Sequence, residues 1–365
     1  MSIIKTDEIQ ARTSGNRVVL PDVNNYPPFR NLIINGDMSI AQRGTSSTST
    51  GYVVDRFNFR VSNTDQFAYT HSQSTTVPTG QGFSNSWKLD VTTAETTLDS
   101  DEEVALQTRL EAQNLQSLKF GTSSAETLTL SFWVRSNKTG TYGIYLRQHD
   151  AGKNYVASYT ISSADTWEKK TISISGNTAN TIANDNGIGF WINWTLAAGS
   201  SLDGATMNSW HTAATEIAPT GQVDITDSTS NEWYITGVQL EVGDSATPFE
   251  FLPFDVNLQR CQRYYQIFTQ YGNMVGKNNG TTTVAQVTPQ LPVMLRASPT
   301  ITSSSGFFTF SGSVAKSSSQ TGTSAITFTT NKVGFFFTIS GFSGLTDNQP
   351  ASIRPESDMT IDSEL

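Results

Sequence analysis

Between Leu128 and Arg147 apolar and polar side chains alternate with a period of two, and that rhythm admits only extended backbone. In Leu128-Thr-Leu-Ser-Phe-Trp-Val-Arg135, the residues Leu128, Leu130, Phe132 and Val134 share one face. Thr129, Ser131, Trp133 and Arg135 share the other, as successive side chains of a β-strand do. After Asn137-Lys-Thr-Gly140 the alternation resumes, with Ile144 and Leu146 opposite Tyr145 and Arg147, which reads as a β-hairpin. Similar stretches over 155–161, 167–174, 188–196 and 233–241 predict further strands between Gly, Asn and Ser turns. Many short alternating strands indicate an all-β sandwich or jelly roll. The segment 102–117, with Val104, Leu106, Leu110 and Leu115, is expected to hold a short helix or a helix–strand junction.

Composition agrees with strands. Charged residues make up 15% of the chain, well below the ~25% of an average soluble protein. Ser, Thr, Asn and Gly fill the difference, and they suit strand surfaces and turns better than helix interiors. Aromatic residues at 10% still allow a large core, so the low charge does not signal disorder. The net charge is −9, and the 23 basic residues are scattered singly. Phosphate recognition needs clustered Lys and Arg, so no nucleic-acid partner is expected.

The 365 residues exceed one sandwich and divide naturally into two units with extensions. Residues 1–28 lack a sustained period and end in Tyr26-Pro-Pro28, an extended linker; they read as an N-terminal docking arm. Residues 29–253 form the main β domain. The stretch 254–270 reads as a junction, with Asp255 as cap of a short helix or with a strand beginning at Tyr264. Residues 271–365 form a small C-terminal β domain, with strands over 282–295, 307–310, 325–330 and 333–340 and an acidic tail over 346–365 that reads as loose or as adding a last strand at Met359-Thr-Ile361. This unit is small for a sandwich that stands alone, and association with copies of itself would supply the missing burial.

Two motifs carry a family resemblance. Asn31-Leu-Ile-Ile-Asn-Gly-Asp-Met38, followed by Gln42-Arg-Gly44 and Asp55-Arg-Phe57, resembles the opening of bacteriophage tail-fibre and appendage proteins. Tyr234-Ile-Thr-Gly-Val-Gln-Leu-Glu-Val-Gly243, Ala246-Thr-Pro-Phe-Glu250 and Cys261-Gln-Arg-Tyr-Tyr265 look like the closing strand and exit of the same proteins. Both ends also resemble jelly-roll carbohydrate-binding modules, in which the first and last strands lie side by side. The resemblance implies a jelly roll followed by a small C-terminal β-sandwich, with an extended arm and a short junction helix. It also implies a homotrimer. Its calcium-binding members would place a structural calcium ion near Asp37, although the carboxylate expected before Val238 is replaced by Thr236-Gly237.

Catalytic signatures are missing. His71, His149 and His211 lie far apart in sequence, and there is no Gly-x-Ser-x-Gly, P-loop or Cys-x-x-Cys. Asp99, Asp101, Glu102 and Glu103 read as a solvated turn, and the lone Cys261 as a small buried hydrophobe. No enzyme activity is expected. Binding has better candidates: Trp133 with Arg135, Tyr145 with Arg147, and Trp191 with Asn193 all fall out of phase with the apolar stripe. An aromatic ring stacks on sugar C–H faces while Arg or Asn bonds hydroxyls, so these six form a candidate glycan site. The alternative reading, burial in a subunit interface, stays open and is the commoner fate of such rings.

The expectation is therefore a structural subunit of a phage virion appendage, with no catalytic, nucleic-acid or membrane-insertion role. Its partners would be two further copies of itself, virion tail or capsid proteins reached through the arm, and a host surface glycan. The start, Met1-Ser-Ile-Ile-Lys-Thr-Asp-Glu8, does not read as a secretory leader, which fits assembly in a host cytoplasm into a virion. A capsid decoration or other fibre without glycan binding, and a stand-alone carbohydrate-binding module, are the rival readings.

Overall fold

The computed structural model describes residues 29–64, 66–212, 216–269, 274–278, 283–288, 291–303, 307–311, 314–318, 326–331, 334–343, 345 and 350–365. The expected arm, 1–28, lies outside the described residues. The fold is all-β. Its first unit comprises β1 (Ser46–Ser47), β2 (Gly51–Tyr52), β3 (Phe57–Ser62), β4 (Ala68–Ser74), β5 (Ser86–Thr93), β6 (Glu103–Glu111) and β7 (Leu128–Ser136). It continues through β8 (Gly140–Gln148), β9 (Lys153–Ile161), β10 (Glu168–Ile174), β11 (Ile188–Ala198), β12 (Trp210–Thr212) and β13 (Glu232–Val242). A six-stranded sheet runs β1-β4-β5-β13-β7-β10, and a seven-stranded sheet runs β12-β9-β8-β11-β6-β3-β2. The two face each other across one apolar core. Phe132 of β7 meets Trp194 of β11 edge-on with ring centroids 5.8 Å apart, and Phe59 of β3 lies 5.4 Å from Trp87 of β5.

The expected hairpin is corrected. β7 pairs with β10 and β13, whereas β8 pairs with β9 and β11. Residues 137–139 therefore carry the chain from one sheet to the other. Alternation cannot distinguish the cases, because strands facing each other across a core present the same stripe as strands side by side. The crossing is fixed locally. Ser136 Oγ donates to the Glu232 carbonyl at 2.6 Å, and the Tyr142 hydroxyl donates to the Lys138 carbonyl at 2.8 Å. Segment 102–117 resolves into β6 followed by a 3-10 turn, Ala112–Leu118, so the strand comes first and the helical spacing belongs to Leu115 and Leu118.

The opening segment lies beside the closing strand. Leu32 N–H donates to the Leu240 carbonyl at 2.9 Å, and Val238 N–H donates to the Gly36 carbonyl at 2.8 Å. β13 loses its register with β7 between Thr236 and Gln239, around Gly237 at φ +63°. That break leaves Val238 free to pair with Gly36. A Cβ added at Gly36 would sit 2.0 Å from the Val238 carbonyl oxygen, so only glycine permits this approach.

After β13 comes the helix α1 (Phe254–Gln262), with Pro253 at its N-cap and no side-chain cap. Asp255 sits in the first turn and is not the cap. The expected junction thus holds both a helix and a strand, β14 (Tyr265–Phe268). The remaining strands are β15 (Met274–Asn278), β16 (Ala285–Thr288), β17 (Thr300–Ser303), β18 (Phe307–Ser311), β19 (Val314–Ser318), β20 (Ile326–Asn331), β21 (Gly334–Ile339), β22 (Pro350–Pro355) and β23 (Met359–Asp362). They form two sheets, β14-β23-β17 and β19-β18-β22-β15-β16-β21-β20. A second apolar cluster includes Met274, Ile301, Ile339, Ile353, Met359 and Ile361. The tail supplies β22 and, at the last strand the sequence offered from Met359, β23; its Ile353, Met359 and Ile361 are fully buried. The strand expected over 282–295 shortens to β16, since prolines at 289 and 292 lack the N–H a ladder needs.

Arginines join the second unit to the first. Glu111, at the end of β6, accepts from Arg263 Nε at 2.7 Å and Nη2 at 2.9 Å, and from the Tyr264 hydroxyl at 2.5 Å. Arg56 pairs with Glu364, and its guanidinium lies 3.5 Å from the Tyr264 ring centroid. Arg296 donates to the carbonyls of Asn186, Ser363 and Glu364. Burial pushes the Glu111 carboxyl up, but the bonds from Arg263 and Tyr264 and the charge of Arg263 hold it below its ordinary 4.5.

Two outcomes follow. Gly36→Ala costs at least about 2 kcal/mol by overpacking, read from denaturant unfolding; an unchanged midpoint contradicts the account. A depressed carboxyl stabilises the fold fully above pH 4.5 and loses that contribution as pH falls through its folded value. Glu111→Gln should therefore be about 3 kcal/mol less stable at pH 7, with a flatter stability curve below pH 4.5 than the parent. Equal pH profiles would sink this assignment.

Candidate carbohydrate-binding face

The six side chains singled out from the alternation divide between opposite faces of the sandwich. Trp133 and Arg135 stand on the outside of the six-stranded sheet. Tyr145, Arg147, Trp191 and Asn193 stand on the outside of the seven-stranded sheet, directly opposite one another on β8 and β11.

The outer face of the six-stranded sheet is electrostatically closed. Arg135 donates to Asp165, with Nη2 at 2.7 Å from the carboxylate and Nε at 3.0 Å from the carbonyl, and its guanidinium lies 5.0 Å from the Tyr234 ring centroid. Lys88 Nζ donates to Glu232 at 2.6 Å, and the Tyr234 hydroxyl donates to the other oxygen of that carboxylate at 2.7 Å. Burial pushes the Glu232 carboxyl up, yet these bonds and the nearby cations together hold it below its ordinary value. Trp133 packs beside Gly237, where a Cβ would lie 3.1 Å from the indole Cδ1. Both Trp133 and Arg135 are thus occupied by neighbours.

The seven-stranded sheet differs. Register places His211, Asn154, Arg147, Trp191 and Arg109 opposite one another on five successive strands, β12, β9, β8, β11 and β6. At the usual strand spacing this row is about 19 Å long. Its centre is Trp191. His149 stacks on that indole with centroids 5.0 Å apart, and the guanidiniums of Arg109 and Arg147 lie 5.1 and 5.5 Å from the ring centroid. Trp191, Arg147, His149 and His211 are half-buried, so part of each reaches solvent.

The row is rich in buried polar atoms that lack a hydrogen-bond partner among the described residues. They are Arg147 Nε, Trp191 Nε1, His149 Nδ1, His211 Nε2 and both ends of the Asn154 amide. In the adjoining row, Asn193 accepts from Gln107 Nε2 at 2.7 Å while its own Nδ2 has no partner. Buried polar atoms are normally satisfied by protein groups or by ordered water. Tyr145 takes another role. It is 5% exposed, packed with Val156 and Ala205 and covered by Met207 and Ile217. Burial pushes its hydroxyl well above the ordinary value. It supports the face from below.

Arg109, His149, Asn154 and His211 were not singled out in the sequence. Arg109 lies two residues from Gln107 on the same strand face, which was readable once β6 was known. The histidines come together only through strand order. His71 belongs elsewhere: it is buried in the core against Phe59 and Trp87, bonded to the Ser49 carbonyl at 2.8 Å, and burial lowers its pKa.

Asp37 does not fit a calcium site. Its carboxylate is held by Ser39 Oγ and by the Asn257 amide, each at 3.1 Å, and burial raises its pKa. Two donors point at it where a hard cation would need six to eight oxygens. Among the described residues no three His, Cys, Asp or Glu side chains group around a common point. Glu102, one of the clustered carboxylates, accepts from the Asp99 N–H at 2.6 Å and so closes a turn. The thiol of Cys261 is fully buried and pushed well up in pKa, which keeps it protonated.

No protein-family model matches the sequence, and no curated protein matches it. Solved structures similar to the chain include the enzymatically active domain of tailspike protein 4 of bacteriophage CBA120, at 12% identity and TM-score 0.33, over 60% of this chain and 22% of that one. The match thus spans about a fifth of that domain. A putative sugar binding protein from Bacteroides thetaiotaomicron matches at 14% identity and TM-score 0.33, over 58% of this chain and 100% of that one. The family 11 carbohydrate-binding module of a cellulosomal cellulase of Clostridium thermocellum matches at 11% identity and TM-score 0.27, over 59% and 96%.

The donor set at Asp37 has a direct check. Millimolar calcium should leave the melting temperature of the protein unchanged; a rise of several degrees that disappears in Asp37→Asn would restore a calcium site.

Proposed function

We propose that this chain is a non-catalytic adhesion subunit of a bacteriophage appendage, and that it holds a glycan across the outer face of the seven-stranded sheet. The observation that carries the binding half is the row through Asn154, Arg147, Trp191 and Arg109, with its unpartnered buried polar atoms. An indole offers sugar C–H groups a flat apolar partner, and amide and guanidinium groups offer hydroxyls both donors and acceptors. A row about 19 Å long accommodates a chain of sugar rings lying along the sheet.

The virion half rests on the tail-fibre resemblance of the opening and closing motifs, and so does the homotrimer. Phe29, Val242, Phe251 and Phe254 are each about half exposed or more, and a larger particle would give them partners to pack against. In this reading the arm 1–28 holds virion proteins and the sandwich meets the host surface.

Trp191→Ala should keep its melting temperature and solution mass while binding to host envelope polysaccharide weakens about tenfold or more, from about 1.5 kcal/mol of lost ring contact. Trp133→Ala, on the opposite sheet, should bind normally. A loss of assembly in Trp191→Ala with glycan binding unchanged would make the row a subunit interface.

A further inference from the structure

We infer that the row selects an acidic glycan, a polysaccharide bearing a carboxylate on its sugar rings; this rests on the glycan reading above. The argument turns on one cation. In a chain of net charge −9, basic side chains on a sheet face find acidic partners easily, and on the six-stranded sheet Lys88 and Arg135 do. Lys88 pairs with Asp90 and Glu232, and Arg135 with Asp165. On the seven-stranded sheet Arg147 makes no ion pair and no hydrogen bond with any described residue, and its Nε is buried.

The carboxylates nearest in the sheet are committed elsewhere. Glu111 is held by Arg263, and Glu103 accepts from the Tyr145 hydroxyl at 3.4 Å. A guanidinium N–H buried without an acceptor is costly. A planar carboxylate accepts two N–H groups in parallel from the solvent-facing part of this half-buried guanidinium, whereas a single hydroxyl fills only one arm of the fork. The half-buried Trp191 beside Arg147 then offers its ring face to the same sugar. Arg109, on the far side of Trp191, is already bonded to Gln107 Oε1 at 2.6 Å and to the Leu365 carbonyl, which makes Arg147 the selecting residue.

The test uses the full chain in calorimetric titrations with polygalacturonate, alginate and polysialic acid, each also supplied in carboxyl-reduced form. We expect binding to at least one acidic polymer, weakened about tenfold or more both by carboxyl reduction and in Arg147→Gln, the scale of one charge-assisted hydrogen bond. Arg147→Lys should recover part of the affinity, and Arg135→Gln should match the parent. Melting curves show that each variant is folded, and the carboxyl-reduction comparison needs no variant at all. Equal binding of acidic and reduced polymers, still abolished by Trp191→Ala, overturns the acidic inference and leaves the glycan reading standing. Failure to bind any polymer in either form overturns both.

Discussion

A segment that cannot pair along its whole length must be held by side chains, and here the buried amides of Asn31 and Asn35 hold it. Asn31 Nδ2 donates to the Val238 carbonyl at 3.0 Å, while its Oδ1 accepts from the N–H groups of Ile33 and Leu240. Asn35 Nδ2 donates to the carbonyls of Ile40 and Asp55, and its Oδ1 accepts from the Ile40 N–H. Each amide thus satisfies backbone groups that a ladder would otherwise satisfy. The consequence spreads outward. Asn257 of α1 bonds to this same segment, to the Asn35 N–H and to Asp37, so the position of the helix is set by the closure of the sandwich. The helix delivers Arg263 and Tyr264 to Glu111, and the tail delivers Glu364 to Arg56. Closure of the first core therefore positions the second.

Much of this was legible in the sequence, and the misses share a cause. Alternation located β7, β8, β9, β10, β11 and β13 within a residue or two, and it identified which side chains leave the core. It could not say which strands are neighbours. The pairing of β7 with β8 failed for that reason: Phe132 and Ile144 face the same core from opposite sides, and periodicity reads identically for both arrangements. In the tail, Ser, Pro and acidic residues suggested solvent and hid β22, whereas Met359 and Ile361, spaced by two, already offered the last strand. Asp255 looked like a cap because of its residue type, yet Pro253 begins the helix, and proline suits helix starts through its fixed φ.

The same limit explains the candidate site. Trp191, Arg147 and Asn193 were found by phase alone, but their companions Arg109, Asn154 and His211 come from strands far apart in sequence and meet only through the sheet order. Phase also selected Trp133 and Arg135, whose face turns out to be a closed circuit of ion pairs. What separates the two faces is how their arginines are paired, since the Trp167 indole N–H beside Tyr234 on the six-stranded sheet also lacks a partner among the described residues. One sheet pairs its cations with Asp165 and Glu232; the other leaves polar atoms around Trp191 without partners among the described residues. Residue type nominated both faces, and hydrogen-bond accounting chose between them.

The central claim is that a glycan lies over Trp191. The chain has seven tryptophans, so incorporation of 5-fluorotryptophan gives a small set of fluorine resonances, and Trp191→Phe assigns the one that matters. Titration with host envelope polysaccharide should shift the Trp191 resonance selectively and leave those of the core residues Trp87, Trp194 and Trp233 unmoved. A shift confined to Trp133 or Trp167 would move the binding surface to the six-stranded sheet and contradict the account.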